Sequence, residues 1–394
     1  MGTDDTLSTD ASNENFRADA KGQIILLAPD SFKGSLTAGE AAEAMRRGAL
    51  RARPASEIRM FPMADGGEGT IEALITSGGE RKTVTARDAR GIKKEVACGV
   101  LAEGLFVIET AQIAGILDAG NMSIDTMRRT TLGLGDAIRA ALDAGALQIA
   151  VGLGGSATND AGAGMLVALG AHLLDERGKE LPPAPLAFDK IARIDLAGLD
   201  PRLKNVKLMA LSDVDSPLTG PLGATAVFGP QKGVEPGQVE ALDAKLAHFA
   251  GCLESAMGKR ARDLPGSGAA GGLGFALRML GAELRPGAEA IADAVGLDAA
   301  LADAALVLTG EGASDRQTLC GKTPFVVSAR ARRLGKPTVL LSGFIDPRSL
   351  PELNAQFLAC LSCVPGPVAL GQAIDHAAEY LENATEQVVR IFRP

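Results

Sequence analysis

Residues 149–170, IAVGLGGSATNDAGAGMLVALG, leave few choices of local structure. The apolar run Leu147-Gln148-Ile149-Ala150-Val151 suits a buried strand. It breaks into Gly152-Leu153-Gly154-Gly155, followed by the polar side chains of Ser156, Thr158, Asn159 and Asp160. The Ala/Gly/Leu-rich segment from Ala161 to Leu169 then reads as a helix. Strand, glycine-rich loop and helix start follow one another. Glycines let backbone N–H groups approach an anion, and a helix N-terminus adds partial positive charge. Such a loop suits a phosphate or a carboxylate. The plainer reading is a tight turn in which Asn159 or Asp160 caps the helix.

The same grammar recurs at both ends of the chain. Gln23 to Ala28 is a continuous apolar run, as expected of a parallel strand buried on both faces. It runs into Pro29-Asp30-Ser31-Phe32-Lys33-Gly34-Ser35, and Thr37 with Glu40 predicts a capped helix from Ala38 to Arg51. A strand from Ile58 to Met63 leads to Asp65-Gly66-Gly67-Glu68-Gly69 and a further helix. Late in the chain, Ala305 to Thr309 leads to a loop at Gly310-Glu311-Gly312-Ala313-Ser314-Asp315. Strands at Thr338–Ser342 and Leu358–Val364 follow, then one last helix carrying Leu370, Ile374, Ala377, Leu381, Val388 and Ile391.

Between these ends the pattern differs. Lys82–Asp88, Lys94–Leu101 and Leu105–Thr110 are short strand candidates with no helix between them, which predicts antiparallel structure. A helix from Leu134 to Ala144, a strand at Val206–Ser212, a long helix from Gln238 to Met257 and a close-packed loop at Gly266–Gly274 come next. The expected fold is therefore α/β: a Rossmann-like parallel-sheet domain with an inserted second, mixed α/β domain. The expected division is 22–80 plus 282–394 for the first and 81–281 for the second. Residues 1–21, polar and acidic, are expected to be a disordered tail.

Composition narrows the function. A chain of 394 residues with 46% hydrophobic content can bury a large core. Its net charge of -8, with no basic block, argues against nucleic acid as the main partner. No apolar run is long enough to span a membrane, and no signal peptide is visible, so a cytoplasmic protein is expected. Five dispersed cysteines do not make a disulfide framework, and Cys360 and Cys363 read as strand residues rather than a redox pair. Three histidines without ligand spacing give no zinc site. What remains is a small-molecule substrate, with homo-oligomerisation left open.

Loops at Asp30, Asp65, Asp213 and Glu311 follow strands, where ligands of open α/β sheets bind, and with Gly152–Asp160 they are expected to converge on one cleft. They are rich in glycine, carboxylates and single lysines (Lys33, Lys232, Lys322) and lack histidine. That inventory suits phosphoryl transfer, in which lysines and amides neutralise phosphate oxygens and carboxylates hold Mg²⁺ or take a hydroxyl proton. It does not suit a Ser-His-Asp set. Asp30 and Asp65 as plain helix caps, Lys33 as a surface lysine, and one of Asp213 and Asp215 as structural are the alternatives. Gly321-Lys322-Thr323 is not a P-loop, because Arg316 stands where the first glycine is required.

Taken in order, Pro29-Asp-Ser-Phe-Lys-Gly-Ser35, Ala64-Asp-Gly-Gly-Glu-Gly-Thr70, Gly152-Leu-Gly-Gly-Ser-Ala-Thr-Asn-Asp160, Asp213-Val-Asp215, Phe228-Gly-Pro-Gln-Lys-Gly233, Gly268-Ala-Ala-Gly-Gly-Leu-Gly274 and Thr309-Gly-Glu-Gly312 resemble the bacterial glycerate kinases of type I. Asp315, Gln317-Thr318 and Gly321-Lys322 extend the resemblance, which covers about Gln23 to Arg393. Leucines in Thr130-Thr131-Leu132-Gly133-Leu134-Gly135 and the acidic N-terminal segment depart from the pattern. The resemblance implies ATP-dependent phosphorylation of D-glycerate, with Mg²⁺, to 2-phosphoglycerate. On that footing Asp65, Gly154, Gly155, Ser156, Thr158, Asn159 and Asp160 are expected to bind glycerate. Ser31, Lys33, Gly34, Ser35, Gly310, Glu311 and Gly312 are expected to meet ATP. Asp213, Lys33 and Asp215 are the expected catalytic residues, with Asp213 and Asp215 as metal ligands. Gln231, Lys232, Asp315, Gln317 and Lys322 form a further candidate group. Two alternatives stand beside this. One is a kinase of another small hydroxy compound, since the Gly152 loop superficially resembles that of the galactokinase–homoserine kinase group. The other is a non-catalytic sensor of glycerate or nucleotide.

Overall fold

The computed structural model describes residues 23–101 and 104–392. The N-terminal segment expected to be disordered lies outside the described residues. The chain forms two units, one from residues up to 62 and from 296 onward, the other from 63–295. These boundaries differ from the expected 80/81 and 281/282. The helix Thr70–Thr76 packs on the strands of the second unit, and the Glu283–Arg285 strand extends that unit's sheet.

The discontinuous unit holds a five-stranded, wholly parallel sheet. Its order is Ala359–Ser362, Thr338–Ile345, Leu306–Ser314, Ile24–Leu27, Glu57–Met60. The three central strands contribute Ile25, Leu27, Leu306, Leu308, Val339 and Leu341 to one core, as continuous apolar runs require. Strand Ile24–Leu27 pairs directly with a strand nearly three hundred residues later, Ile25 opposite Leu306. Helix Ala38–Ala52 begins at the expected capping box. The Glu40 N–H donates to Thr37 Oγ1 (3.2 Å) and the Thr37 N–H to Glu40 Oε2 (2.9 Å).

Two expectations for this unit fail. Gly310, Glu311 and Gly312 are not a loop. They continue the strand to Ser314, because Thr338–Ile345 goes on offering partners, Glu311 opposite Ser342 and Ser314 opposite Ile345. The last helix is two helices, Leu370–Asp375 and Ala377–Ile391, broken at His376. Leu381 and Val388 are buried as its apolar stripe predicts, whereas Leu370 and Ile391 are exposed.

The inserted unit carries a six-stranded sheet in the order Glu283–Arg285, Lys207–Leu211, Gln148–Gly152, Leu105–Glu109, Lys93–Leu101, Glu80–Arg87. The first four strands run parallel and the last two alternate, giving the mixed character. Leu105–Glu109 is the pivot, antiparallel to Lys93–Leu101 and parallel to Gln148–Gly152. Its carboxyl end therefore points the same way as those of Gln148–Gly152 and Lys207–Leu211. Gly266–Gly274, expected as a close-packed loop, is only partly one. Helix Ala269–Met279 starts within it, through three successive left-handed residues, Ala270, Gly271 and Gly272. A small ribbon, His172–Leu174 with Arg193–Asp195, was not foreseen.

Candidate functional site

Four segments meet at the carboxyl ends of the inserted unit's parallel strands. Strand Gln148–Gly152 delivers the glycine-rich loop, Lys207–Leu211 delivers Asp213, Glu283–Arg285 delivers Gly287, and Leu105–Glu109 ends on Glu109. The Asp65–Gly67 turn, in the same unit, is laced among them. A β-carbon on Gly287 would stand 1.7 Å from the Asp65 carbonyl oxygen, and one on Gly154 would stand 2.6 Å from Gly67 Cα. Only glycine allows backbones so close. Asp65 Oδ1 accepts from the Gly67 N–H at 3.0 Å, and Asp213 Oδ1 from the Gly287 N–H at 3.2 Å.

Asp213 keeps an exposed side chain, yet the protein packed around it pushes its pKa up to about 6. The Gly287 N–H pulls the other way, and the charges of Asp65 and Asp215 add to the rise. Glu109 is buried, and its pKa is pushed up to about 7, first by burial, against the Ile71 N–H that donates to Oε1 at 2.5 Å. Glu109 does not stand out in the sequence because its strand reads as antiparallel. An acidic residue ending a parallel strand, like Asp213, was the signal.

The loop itself corrects the expected contacts. Thr158, Asn159 and Asp160 are 0% exposed, so their side chains face the interior rather than a ligand. Asp160 accepts from the Thr131 N–H (2.7 Å), Thr131 Oγ1 (2.8 Å), the Gly162 N–H (3.1 Å) and the Gly164 N–H (3.1 Å). It ties the loop to the next helix, much as the plainer reading of the motif held. That helix, Ala163–Ala168, is short, and the Gly164 N–H is already taken, so it offers no anion site of its own. Asn159 Nδ2 donates to Thr225 Oγ1 at 2.9 Å. Gly154 and Gly155 are the part of the motif left with surface, and Ser156 beside them is nearly buried.

Lys232, expected only as a further candidate, lies under this loop. Its ammonium donates to Ser156 Oγ (2.9 Å) and to the Thr158 carbonyl (2.8 Å), and it is 2% exposed. Burial pushes its pKa down to about 7; Asp160 opposes that shift and Arg129 adds to it. Gln231 beside it is exposed, as is Asp215.

The other unit has its own polar cluster at the strand ends. Phe32 to Leu36 form a tight turn, the Phe32 N–H donating to the Leu36 carbonyl and the Ser35 N–H to the Phe32 carbonyl, both at 2.8 Å. The turn holds Lys33 and Gly34 out in solvent, with Ser31 and Ser35 half-buried at its base. The Asp30 N–H donates to the Gly310 carbonyl at 2.8 Å, which fixes the turn to the strand bearing Glu311. Glu311 Oε1 accepts from Ser314 Oγ (2.9 Å) and Thr318 Oγ1 (2.6 Å), and Lys322 Nζ lies 3.6 Å from Oε2. Asp315 Oδ1 caps the short helical turn Arg316–Leu319 by accepting from the Gln317 N–H at 2.7 Å. Gln317 is exposed and Gly312 half-exposed. Glu311 thus belongs to an internal network, and Lys33 presents the free charge.

Among the described residues, no group of three or more His, Cys, Asp or Glu side chains could hold a metal ion, and no helix is long and apolar enough to cross a membrane. Asp213 and Asp215 instead match the one or two carboxylates by which Mg²⁺ is held when phosphate oxygens and water complete its shell.

Comparison with known proteins bears on this arrangement. The profile of the glycerate kinase family matches residues 25–393. The chain is 44% identical over 373 residues to a glycerate kinase of Bacillus subtilis (strain 168), covering 92% of this chain and 96% of that one. It is 41% identical over 323 residues to the glycerate 2-kinase of Escherichia coli (strain K12), covering 81% and 84% respectively. The crystal structure of a candidate glycerate kinase 2 from Salmonella typhimurium LT2 superposes with a TM-score of 0.83 at 39% identity, over 94% of this chain and 98% of that one.

Proposed function

The chain belongs to the glycerate kinase family, and on that premise we propose that it transfers the γ-phosphoryl group of ATP to D-glycerate, yielding 2-phosphoglycerate. The observation that carries the reading is the knot of strand-end segments in the inserted unit. It gathers Asp65, Asp213 and Ser156 around glycine backbone, with no histidine or cysteine among them. Such a surface can orient a small hydroxy acid and take a proton from it. It has no nucleophile–base pair for acyl transfer.

In the proposed division of labour, Gly154, Gly155 and Ser156 hold the carboxylate of glycerate and Asp65 holds a hydroxyl. Asp213 accepts the proton of the attacking hydroxyl. Lys33 and the Ser31–Ser35 turn meet the phosphates of ATP, with Gly312 beside them. Thr158, Asn159 and Asp160 act from below the loop, and Glu311 with Asp315, Gln317 and Lys322 shapes the segment after its strand. Asp215, with Asp213 nearby, is the residue that would hold Mg²⁺. When bound, that ion neutralises phosphate oxygens. Phosphoryl transfer asks the protein for placement and charge rather than covalent chemistry, which this inventory supplies. The proposed setting is the cytoplasm, where ATP is at hand.

A coupled ADP-release assay with D-glycerate, followed by ³¹P NMR of the product, tests the proposal. ADP release that depends on glycerate and a 2-phosphoglycerate resonance are expected. Absence of ADP release would favour a sensor, release with a different hydroxy compound only would favour another kinase, and 3-phosphoglycerate would overturn the position of transfer.

A further inference from the structure

Three charged side chains lie beneath the Gly152–Asp160 loop with almost no surface: Arg129 at 3%, Lys232 at 2% and Asp160 at 0%. Burying a charge is expensive unless it is paired. Here Asp160 is the buried carboxylate that acts on Lys232, while the carboxylate acting on Arg129 is Asp125, at the surface. Each group is aimed at the loop. Lys232 Nζ bonds Ser156 Oγ and the Thr158 carbonyl, Arg129 Nη1 donates to the Ala157 carbonyl at 3.0 Å, and Asp160 belongs to the loop itself. Arg129 also donates to the Lys232 carbonyl at 2.8 Å, which ties it to the segment that carries the other cation. A neutral side chain of similar length would fill the Lys232 position without the expense of a buried ion. The part of the loop with surface, Gly154 and Gly155, carries no basic side chain, and Ser156 lies between it and the Lys232 ammonium.

We propose that Lys232, seconded by Arg129, is the charge-selecting element of this loop: from behind Ser156 it makes the exposed glycines a place for a carboxylate, without touching the substrate. The inference rests on the reading above, that glycerate's carboxylate sits on this loop, and it adds which residues decide that the substrate must be an acid. Lys232 is a positioning residue in this scheme, acting through Ser156 and through its field, which is weakly screened in the interior.

A pH signature follows. Burial brings the Lys232 ammonium down to about 7; Asp160 works against that and Arg129 with it. Asp125 acts on Arg129, which stays charged over the working range. Lys232 is cationic below its pKa, so its charge behind Ser156 is present in mild acid and fades as pH rises through about 7.

The test uses the full chain and measures kcat and KM for D-glycerate and for ATP from pH 6 to 8.5, with glyceramide as a neutral acceptor. The wild type should show a glycerate KM that rises about tenfold across this range, with the ATP KM changing far less. Lys232→Met should raise the glycerate KM about tenfold at pH 6, leave the ATP KM within about twofold, flatten the pH dependence and narrow the preference for glycerate over glyceramide. Lys232→Arg, charged at every pH, should keep the low glycerate KM at pH 8.5. A folded Lys232→Met with an unchanged glycerate KM overturns the proposal, as does an equal rise in both KM values. Should Lys232→Met fail to fold, a pH-independent glycerate KM in the wild type overturns it alone. Wild-type turnover with an unaltered Lys232→Met sinks this inference only, whereas absence of glycerate-dependent ADP release sinks the proposed function and this with it.

Discussion

The two strand-end clusters are built on opposite plans. In the inserted unit the determining groups are hidden. Asp160, Lys232, Arg129 and Glu109 are all buried, as is Ser156, and the backbone of Gly154 and Gly155 with the side chain of Asp213 is what is left at the surface. In the discontinuous unit the acidic group is the hidden one, with Glu311 absorbed by Ser314 and Thr318, and the basic group stands in solvent on a four-bond turn. A small acid with few atoms to grip needs a surface whose shape and field are fixed in advance. A polyphosphate brings several charges of its own and can be met by an exposed lysine. Fixed geometry on one side and exposed charge on the other is the contrast that mutation can probe.

The largest effect is expected on the exposed side. Lys33→Ala should lower kcat by roughly two to three decades, about 3 kcal/mol of lost charge stabilisation, while the glycerate KM moves little. Because Lys33 is exposed, melting should not change. Near-normal kcat would remove Lys33 from the site and break the contrast. Next comes Asp213→Asn, expected to lower kcat by about two decades or more with little change in stability, since volume and the Gly287 hydrogen bond are retained. Steady-state kinetics beside a melting curve checks both. An active Asp213→Asn would shift the proton acceptor to Asp215 or Asp315.

Much of this was legible in the chain. Continuous apolar runs announced the parallel sheet, the Thr37/Glu40 spacing announced a capping box, and acidic residues after strands marked Asp65 and Asp213. What stayed hidden was the direction of side chains in the loop. Ser156, Thr158, Asn159 and Asp160 are alike in sequence, and only the tertiary partners Thr131, Thr225 and Lys232, distant in the chain, decide which of them turn inward. Lys232 could not be read as buried because lysine is ordinarily a surface residue. Glu311 reads as a loop residue because glycines flank it, whereas its pairing depends on how far Thr338–Ile345 extends. The apolar spacing of the last helix ran on through His376, where the backbone breaks.

A smaller effect sharpens the contrast on the buried side. Glu109 holds its proton up to about pH 7 in the folded chain, against an ordinary value of 4.5. The unfolded chain therefore loses the proton first, and stability should fall as pH rises from about 4.5 to 7, by on the order of 3 kcal/mol, then level off. Glu109→Gln keeps an acceptor for the Ile71 N–H and should lack that slope, so it should melt above the wild type at pH 8 and not at pH 4.5. Parallel wild-type and variant curves would show that Glu109 titrates like a surface acid. The smallest effect belongs to residues 1–20. The segment is polar and lacks a core face, and deleting it should leave kcat within about twofold. A tenfold drop would mean that one cluster depends on this segment after all.

The parallel sheet of the discontinuous unit also sets a timetable. Ile24–Leu27 and Glu57–Met60 leave the ribosome long before Leu306, the central neighbour of Ile25. At about 5–20 residues per second, translation keeps those strands waiting some tens of seconds, with one edge bare, while the whole inserted unit is made. The inserted unit, contiguous from 63–295, has all its strands in hand before the first of the missing partners is synthesised. The unit whose strands are made before the insert is thus the unit completed after it, and a newborn chain stalled short of Leu306 carries a completed insert and an open sheet edge.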